Sequence, residues 1–480
     1  MGVKKVVIIG GGVAGLGAAY RIKQASEAGA DVEAVLLEKD HVTGGKVKGE
    51  NPEGYVIDGG PDCFLTQKPA VRRVAAQIGI DGDLLPSDES RKRTWILAGG
   101  KLHELPDGVM MMVPTKFWSF ATTGLFTWPG KIRMAMDLVI PKKEPGDETL
   151  ASFVRRRLGR ECLDRLAEPL VGGVHASDPE TMSLAATFPR FLEMEQEHGS
   201  LIKGFVAARL KMEKMKREAK KSGRERKSTF FTSFKNGMHE LPAALTEACG
   251  RDSVHTGVRV TELARSGQGW VVKTSDGESI ACDAVIVATE GYVAAELVGP
   301  LSEEVGEALG AIPHTSSATV SLAFDASTIG IDTDAFGVLV PLAEGRSIMA
   351  ATYSSTKWPG RAPEGKVLMR GFVGGPHNQE VLEFSDDELV ELVMSEFRAI
   401  LGVKGDPLLK RVYRWERGMP QYTLGHLERV ALVDEWVSQT AGIALAGGAY
   451  RGVGIPNCIE SGEAAAEKVL ANLGYGASGE

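Results

Sequence analysis

The sequence has few cysteines and lacks a long uncharged apolar segment. Its 480 residues include five cysteines, and these form no Cys-x-x-Cys pair and no spacing typical of zinc sites. No stretch reaches the roughly 18 charge-free apolar residues of a membrane-spanning helix. The first predicted strand begins within the first residues, which leaves no room for a targeting peptide. We therefore expect reduced thiols and a cytoplasmic protein without a spanning helix.

The sequence also lacks an excess of positive charge and a pattern of metal ligands. The formal net charge is −8, with 43% apolar and 25% charged residues, as in ordinary globular proteins. This charge gives no overall attraction to nucleic acid. His175 and His198 have no second ligand at helix spacing, so we predict no metal site. A chain of this length is too long for one hydrophobic core.

Residues 6–20 read VVIIGGGVAGLGAAY, which is typical of a buried strand, a glycine turn and a helix. Gly10, Gly12 and Gly15 have the G-x-G-x-x-G spacing that lets a pyrophosphate approach the backbone at a helix N-terminus. A second apolar run at residues 32–37 ends at Glu38, 23 residues after Gly15. A carboxylate at this distance binds a ribose hydroxyl, so the pattern predicts FAD or NAD rather than NADP.

A second glycine pair follows the acidic residue. Gly44 and Gly45 precede Lys46, and a short strand predicted at residues 55–58 is followed by another Gly-Gly-Pro turn. NAD needs no second glycine pair at this place. The pair resembles the Gly-Gly motif of the flavin-containing amine oxidase superfamily, in which the chain passes close to the flavin. The sequence therefore favours FAD over NAD.

The nucleotide-binding pattern is interrupted and resumed twice along the chain. A buried strand is predicted at residues 284–288, and the tail again reads as strand, glycine turn and helix. We predict an α/β protein with a discontinuous Rossmann-like FAD-binding domain at 1–85, 228–299 and 426–480. A mainly helical domain at 86–227 and a mixed α+β substrate-binding domain at 300–425 are inserted into it. In the last of these, Ser385 is expected to be the N-cap of an amphipathic helix.

Seven motifs, one of which is the glycine fingerprint itself, point to one family. They are GGGVAGL, GGPDCFL, LVGGVHASDPETMSLAATFP, EQEHGSLI, FGVLVP, RWERGMPQYTLGHLERV and GGAYRGVGIPNCIESG. With these motifs the chain resembles, over its whole length, the FAD-dependent porphyrinogen oxidases of haem synthesis, which act on coproporphyrinogen III or protoporphyrinogen IX. The last two motifs are far more specific than the glycine fingerprint. The resemblance implies an amine oxidase-like fold.

The same resemblance implies the reaction and the cofactor contacts. A porphyrinogen loses six electrons in three rounds, FAD is bound noncovalently, and O2 reoxidises the flavin and is released as H2O2. The flavin carries the chemistry, so no catalytic protein base is assigned. The family's flavin contacts correspond here to Gly10, Gly11, Gly12, Val13, Ala14, Gly15, Glu38, Lys39, Gly45, Lys46, Gly60, Pro61, Asp62, Val260, Trp415, Val453, Gly454 and Ile455. Asp62 replaces the family's usual asparagine, which leaves its side-chain role open.

The substrate contacts follow from the resemblance in the same way. Leu339 and Phe372 match apolar wall positions of the family, and Thr352 stands where some members have leucine. Arg93 matches an arginine that meets a substrate propionate, and Lys68 lies where the bacterial branch has a basic group. Val174 completes the predicted set. Plain core packing of Leu339 and Phe372, and a surface position for Arg93, are the alternatives.

Other functions remain open at this point. Coproporphyrinogen III is the expected substrate and protoporphyrinogen IX is the alternative within the family. An amine oxidase or a carotenoid desaturase would be another flavin enzyme. A flavin-less binding protein, such as the Rab GDP-dissociation inhibitors, would be a non-enzyme, but it should have lost the nucleotide glycines that are present here.

Two segments bear on partners. The basic segment at 209–227 is either a solvated helix end and loop or a contact to an anionic membrane or acidic protein. Residues 109–140 are rich in Met, Phe and Trp, and either lie on a bilayer or cover the substrate cavity. We expect peripheral contact with the inner face of the cell membrane at most, and transfer of the product to the next haem-pathway enzyme.

Overall fold

The computed structural model describes residues 2–221, 229–330 and 333–475, and the chain divides into two compact units. The first unit contains Met1–Pro86, Phe230–His314 and His426–Glu480. The second contains Ser87–Thr229 and Thr315–Gly425. The first unit is therefore discontinuous in sequence, whereas the five-segment domain division made from the sequence stays a prediction.

The described residues form short and medium-length elements throughout. The strands are β1 (Lys4–Ile9), β2 (Val32–Glu38), β3 (Gly49–Glu50), β4 (Ile57–Asp58), β5 (Phe64–Leu65), β6 (Leu84–Pro86), β7 (Thr94–Ala98), β8 (Lys101–Glu104), β9 (Val109–Met110), β10 (Val113–Pro114), β11 (Phe231–Phe234), β12 (Val254–Thr256), β13 (Val260–Ser266), β14 (Gly269–Thr274), β15 (Ser279–Cys282), β16 (Ala284–Val287), β17 (His314–Asp325), β18 (Gly337–Leu339), β19 (Ile348–Thr352), β20 (Lys366–Gly374), β21 (Leu409–Pro420) and β22 (Ile443–Leu445). The helices are α1 (Val13–Glu27), α2 (Ala70–Gln77), α3 (Phe117–Thr122), α4 (Trp128–Ala135), α5 (Leu150–Arg157), α6 (Arg160–Cys162), α7 (Glu168–His175), α8 (Leu184–Thr187), α9 (Pro189–His198), α10 (Leu201–Lys221), α11 (Glu240–Cys249), α12 (Gly291–Val298), α13 (Glu303–Gly310), α14 (Ser354–Lys357), α15 (Asp386–Leu401), α16 (His426–Gln439) and α17 (Ile455–Asn472).

A five-stranded parallel sheet organises the first unit. Its strand order is β12-β2-β1-β16-β22, so β1 has β2 on one side and the much later β16 on the other. Val6 and Ile8 pack into one core with α1 and α17, whereas Val7 and Ile9 pack into another with α12, α13 and α16. A strand covered on both faces must be apolar at every position, which explains the uninterrupted run at the start of the sequence.

Helix α17 packs closely on α1. A Cβ atom added at Gly462 would overlap the backbone of Ala14, so only glycine lets the two helices come this close. The predicted tail of strand, glycine turn and helix is therefore confirmed as β22 and α17. The strand predicted at residues 55–58 is shorter: only Ile57 and Asp58 pair, with Glu50 and Gly49.

A seven-stranded mixed sheet forms the frame of the second unit, in the order β21-β17-β20-β19-β18-β7-β8. On one face, α15 packs against an apolar core that includes Val320, Met369 and Val373. Helix α15 begins after Ser385, whose side chain forms a capping box with Glu388, as its sequence predicts.

Helices α3 to α10 of the second unit surround a core rich in phenylalanine. A buried ion pair lies beside this core, because the guanidinium of fully buried Arg157 contacts Asp137 at 2.5 Å and Glu195 at 3.4 Å. Arg157 also donates to the Asp137 and Gly199 carbonyls, so its donors are matched by acceptors. Among the described residues, no helix has the length and apolar character needed to cross a membrane.

Candidate functional site

The carboxyl ends of four parallel strands meet at one edge of the first unit's sheet. Gly10 N donates to Leu37 O, Ala288 N donates to Ile9 O and Ala446 N donates to Val287 O, at 2.8 to 2.9 Å. At this edge β1 stands between β2 on one side and β16 on the other, and the loops after these strands leave the sheet. In open α/β sheets, ligands bind in the crevice at such a switch point.

The first glycine loop lies at this edge. A Cβ atom added at Gly10 would approach Ala288 O to 2.6 Å, and one added at Gly15 would overlap Gly10 O. At Gly12, by contrast, an added Cβ would meet nothing within 4 Å. Gly10 and Gly15 are therefore required by the fold itself, whereas Gly12 leaves open space where a ligand can approach the backbone.

Glu38 at the end of β2 turns its carboxylate toward this loop. Its Oε2 accepts from Gly11 N at 2.6 Å and its Oε1 accepts from Asp40 N at 2.8 Å. The side chain is buried, and Val258 N donates to the Glu38 carbonyl. Each carboxylate oxygen has a second acceptor position, so the group can hold the loop and still receive a hydroxyl donor. The predicted adenine contact Val260 begins β13, two residues after Val258.

The second glycine pair lies directly against the first loop. Gly44 N donates to Gly11 O at 2.8 Å, and Gly12 and Gly44 form a parallel bridge. Gly44 and Gly45 both have positive φ, +107° and +57°. A Cβ atom at Gly45 would lie 3.2 Å from Gly12 Cα, so the motif brings one bare backbone against another. The two motifs, read separately in the sequence, form one surface.

Lys46, which follows the second glycine pair, forms an ion pair that the sequence interpretation missed. Lys46 Nζ lies 2.7 Å from Glu290 Oε1, and Glu290 Oε2 lies 3.8 Å from the buried ring of His314. Glu290 lies three residues after the end of β16 and is the N-cap residue of α12. The rule that ligands bind at the carboxyl ends of parallel strands could have identified Glu290.

The N-terminus of α17 carries the last predicted cofactor residues. Gly454 is its N-cap, Val453 precedes it and buried Ile455 begins the helix. Asn457 in the first turn accepts from Lys68 Nζ at 2.5 Å, so Lys68 also lies at this helix terminus. Burial raises the pKa of the neighbouring Cys458 thiol to about 11, which keeps it protonated at neutral pH.

The remaining predicted cofactor residues of the first unit lie after β4, after β2 and in the first turn of α1. Gly60 and Pro61 follow β4, and the carbonyl of buried Asp62 accepts from Ser233 Oγ at 2.7 Å. Lys39 is exposed beside Glu38. Helix α1 has no acidic residue in its first turn, where Val13 and Ala14 lie, so its N-terminal partial charge is left to attract an anion.

In the second unit, the predicted wall residues share one face of the sheet. Phe372 of β20 is opposite Ala350 of β19, and Ala350 is opposite Leu339 of β18. Thr352 lies two residues after Ala350 and thus on the same face. This face is opposite to the one that packs on α15, where the neighbouring Gly371 would meet Val393.

Helix α7, which contains Val174, covers part of this wall. A Cβ at its Gly173 would come to 3.1 Å from Leu339 and 3.7 Å from Ala350. The first residue of α7, Glu168, accepts from Leu342 N at 2.9 Å and so ties the helix to the turn after β18. Burial, with smaller contributions from Asp178 and Asp164, raises the Glu168 pKa to about 7.

Sequence interpretation also missed one residue of the wall, Arg370, and the acceptor of Arg93, Asp334. Arg370 is opposite Thr352 in the sheet, is 4% exposed and places its guanidinium 4.7 Å from the centre of the Phe372 ring. Asp334 accepts from Arg93 through its carboxylate at 3.0 Å and its carbonyl at 2.9 Å. Alternation along β20 could have placed Arg370 beside Phe372, but no sequence signal pairs Asp334 with Arg93.

Three comparisons with known proteins bear on this arrangement. A family model described as flavin containing amine oxidoreductase matches residues 13–470. Coproporphyrinogen III oxidase of Bacillus subtilis is 34% identical over 98% of this chain and 99% of its own length. Protoporphyrinogen oxidase 1 of Spinacia oleracea chloroplasts is 31% identical over 96% of this chain and 84% of its length. A crystal structure named as a protoporphyrinogen oxidase, from Exiguobacterium sp. 255-15, has a TM-score of 0.84 at 31% identity and covers 99% of this chain and 100% of its own.

The chain belongs to the flavin-containing amine oxidoreductases. The resemblance inferred from the motifs is thereby confirmed, and so are the amine oxidase-like α/β fold and the assignment of an oxidoreductase that uses FAD. The first unit fits this cofactor, because the open side of Gly12, the buried Glu38 carboxylate and the paired glycine loops form a cradle for a dinucleotide.

The structure of this flavoprotein brings the predicted contacts together in two groups. In the first unit, the glycine loops, Glu38 and Lys46 lie along one sheet edge. In the second unit, Leu339, Thr352 and Phe372 form the wall described above. Trp415 is half-buried in β21 and stacks on Tyr413 with ring centres 6.4 Å apart. The ligand roles of these residues stay predictions.

Proposed function

We propose that this flavoprotein oxidises a porphyrinogen of haem synthesis to the porphyrin, with coproporphyrinogen III as the preferred substrate. The observation that carries the proposal is similarity to the Bacillus subtilis coproporphyrinogen III oxidase across nearly the whole of both chains. The spinach relative is named for protoporphyrinogen, which makes protoporphyrinogen IX the second candidate. FAD, when bound, supplies the acceptor for two electrons in each round.

The overall reaction balances with molecular oxygen as the final acceptor. A porphyrinogen loses six electrons and six protons, and three molecules of O2 take them up to give three molecules of H2O2. Of the six hydrogens, four leave the meso carbons and two leave pyrrole nitrogens, and the released protons pass to water. The protein residues are therefore left to bind, orient and shield the substrate, and no protein base is assigned.

The residues that would hold FAD lie in the first unit. Glu38 would accept from the ribose hydroxyls, Gly12 and Gly45 would face the diphosphate, and the N-terminus of α17 at Gly454 would approach the ring system. Lys46 would offset phosphate charge, although Glu290 already offsets part of its own. We propose that FAD is held noncovalently, so acid precipitation should release the yellow colour into the supernatant.

The substrate would lie against the sheet face that contains Leu339, Phe372 and Thr352, with Val174 on the adjacent helix. A flat apolar wall suits a macrocycle. The cations proposed for its propionates are Arg93 and Lys68, each held in place by an acceptor: Asp334 for Arg93 and Asn457 for Lys68. Because Asp334 is charged, it offsets part of the Arg93 charge.

A side-by-side assay of the FAD-loaded protein tests the proposal. Porphyrin fluorescence would be followed from coproporphyrinogen III and protoporphyrinogen IX in air and without oxygen, with peroxide measured in parallel. We expect higher kcat/KM for coproporphyrinogen III, because four propionates meet the cations better than two. A preference for protoporphyrinogen IX would assign the second candidate, and oxidation of neither would contradict the proposal.

A matched pair of arginines sharpens this assay. Arg91 and Arg93 both contact Asp334, at 3.2 Å and 3.0 Å, but only Arg93 is proposed to meet substrate. Arg93→Met should narrow the preference for coproporphyrinogen III, whereas Arg91→Met should leave it unchanged. Phe372→Ala should lower turnover and retain FAD, because Phe372 belongs to the proposed wall and not to the cofactor cradle. Equal effects of the two arginine variants would contradict the propionate role.

The setting of the reaction is also part of the proposal. We propose that the protein is cytoplasmic, which reduced thiols would support, and that the product passes to the next haem-pathway enzyme. Fractionation of cells that express the chain, with porphyrin measured in each fraction, would test this location.

A further inference from the structure

A π-helical turn interrupts the helical segment that leads to α7. Residues Leu163–Ala167 have this backbone between α6 and α7, and Pro169 in the first turn of α7 has no N–H with which to continue a regular ladder. Single π-helical turns inside helices are rare and occur frequently at functional sites. Glu168 is the first residue after the turn, so the turn sets the direction of its side chain.

Glu168 lies at one end of the wall. Its Oε2 accepts from Leu342 N at 2.9 Å, three residues after the wall residue Leu339. Gly173, which faces Leu339, is five residues further along α7, and five residues of α-helix span about 7.5 Å. The Oε1 atom points along the same helix, since a Cβ added at Gly172 would lie 3.4 Å from it. The carboxyl group is therefore within about two helical turns of the surface proposed for the macrocycle.

A cleft of about 490 Å³ adjoins the hydrogen bond between Glu168 and Leu342. Its lining includes residues of the turn after β18 and of the π-helical turn, namely Pro341, Ala343, Asp164 and Arg165. Leu342 and Ala343 are exposed, so the cleft opens to solvent. The two segments that line it are the same two that meet at this hydrogen bond. Glu168 thus stands between the covered wall and a cleft that water can enter.

Like charges lie near Glu168. Asp164 precedes it by one turn and Asp178 follows α7, and together with the larger effect of burial they raise the Glu168 pKa to about 7. The hydrogen bond from Leu342 N acts in the opposite direction. A carboxyl group with this pKa is half ionised near neutral pH. It can therefore take up and release protons at similar cost.

The charged neighbours of Glu168 bind one another or the backbone. The pairs, at 3.3, 2.9 and 3.7 Å, are Asp164–Arg160, Arg165–Glu161 and Asp178–His377. Glu344, another acid of the cleft, accepts from the backbone N–H groups of Gly99 and Gly100. Within the described part of the chain, no basic side chain forms an ion pair with Glu168. Neither protonation state of Glu168 is therefore held in place by a cation.

We propose that Glu168 carries protons from the substrate wall to water in the cleft. This inference rests on the proposed function, because the protons are those that a porphyrinogen releases. A proton that leaves the substrate converts the carboxylate to the acid, and the acid then gives that proton to water and becomes a carboxylate again. No electrons move in this step. Glu168 takes no hydrogen from carbon, so it acts as a carrier and not as the hydride acceptor.

The test follows porphyrin formation from coproporphyrinogen III between pH 5 and pH 9, with the FAD-loaded unchanged protein and its variants Glu168→Gln and Glu168→Asp. In the unchanged protein, kcat should rise with pH through about 7, because only the carboxylate accepts a proton. Glu168→Gln should remove this rise and lower kcat by on the order of tenfold or more. Its KM should change less than about twofold, since the wall is intact. Glu168→Asp should keep the rise with a smaller loss of kcat.

Imidazole separates proton transfer from a structural role. Its pKa lies near that of Glu168, and a small soluble base can carry protons from the cleft in place of the missing carboxylate. We expect kcat of Glu168→Gln to increase with imidazole concentration, while kcat of the unchanged protein stays constant. Glu193→Gln, at an exposed position of α9, should keep the rate and the pH profile of the unchanged protein. FAD content and melting temperature would show that each variant is folded.

Three outcomes would overturn the proton route while leaving the proposed function intact. The first is an active unchanged protein whose kcat does not rise through pH 7. The second is a folded Glu168→Gln variant with the rate and pH profile of the unchanged protein. The third is a lowered rate in this variant that imidazole does not restore. An unchanged protein that oxidises neither porphyrinogen would overturn the proposed function and the proton route together.

Discussion

At the scale of single residues, Glu38 gives the most direct test of the proposed cofactor site. Glu38→Gln should weaken FAD binding about tenfold to about 150-fold, because a hydrogen bond to a charged group contributes about 1.5–3 kcal/mol. Glu33→Gln, on an exposed position of the same strand, is the matched control. Equilibrium dialysis with FAD fluorescence would measure both. Wild-type affinity in Glu38→Gln would show that the ribose contact is assigned wrongly.

Glu168 gives a pH-dependent prediction at the same scale. A glutamate ionises near pH 4.5 in the unfolded chain, whereas burial keeps Glu168 protonated in the fold up to a pKa of about 7. The stabilisation from the neutral form is complete below pH 4.5 and is lost as the pH rises through 7. Glu168→Gln keeps an acceptor for Leu342 N but cannot ionise.

Thermal unfolding at pH 5 and pH 8 would measure this effect. We compare the melting temperature of Glu168→Gln minus that of the unchanged protein at the two pH values. This difference should be more positive at pH 8 than at pH 5. Glu193→Gln, at an exposed position of α9, should show no such change. An equal difference at both pH values would mean that Glu168 ionises normally in the folded protein.

Among the secondary-structure elements, the turn between β1 and α1 separates two roles of glycine. Gly12→Ala should fold normally and lose FAD, because its new Cβ meets no protein atom but projects into the proposed path of the diphosphate. Gly15→Ala should lower the melting temperature strongly even without FAD, because its Cβ would overlap the Gly10 carbonyl. Melting curves and the absorbance ratio of flavin to protein would measure both variants. FAD retention in Gly12→Ala would contradict the cradle.

Across the whole molecule, the reactivity of the five cysteine thiols tests whether the interior excludes solvent and reagents. Burial raises the pKa values of the Cys249 and Cys282 thiols to about 12 and of Cys458 to about 11, and raises that of fully buried Cys162 as well. Only thiolates react quickly with an aromatic disulfide reagent. The native protein should therefore show at most one rapidly reacting thiol, Cys63, and all five after denaturation. Cys63→Ser should abolish the rapid reaction, and two or more rapid thiols would contradict the closed interior.

The sequence by itself determined the elements whose physics is local. The strand, glycine turn and helix at residues 4–27 follow from an apolar run and the spacing of three glycines, and the N-terminus of α15 follows from one serine and the glutamate after it. The family also follows from the sequence, because its motifs are contiguous. The boundaries of β4 did not, since only Ile57 and Asp58 of the predicted strand find a partner, Gly49 and Glu50.

The tertiary structure alone decided which distant residues meet. Glu290 is 244 residues from Lys46, and Asp334 is 241 residues from Arg93, so no local pattern relates them. Leu339, Ala350 and Phe372 lie in one row because of the register in which their three strands pair. A shift of one residue in one strand would turn the side chains of that strand to the other face of the sheet. The exposure of Trp118 and Trp128 was likewise undecided by composition, because the same apolar residues can cover a core or face solvent. In the tertiary structure the charged residues Lys131 and Asp137 are buried, whereas Trp118 and Trp128 are 79% and 66% exposed.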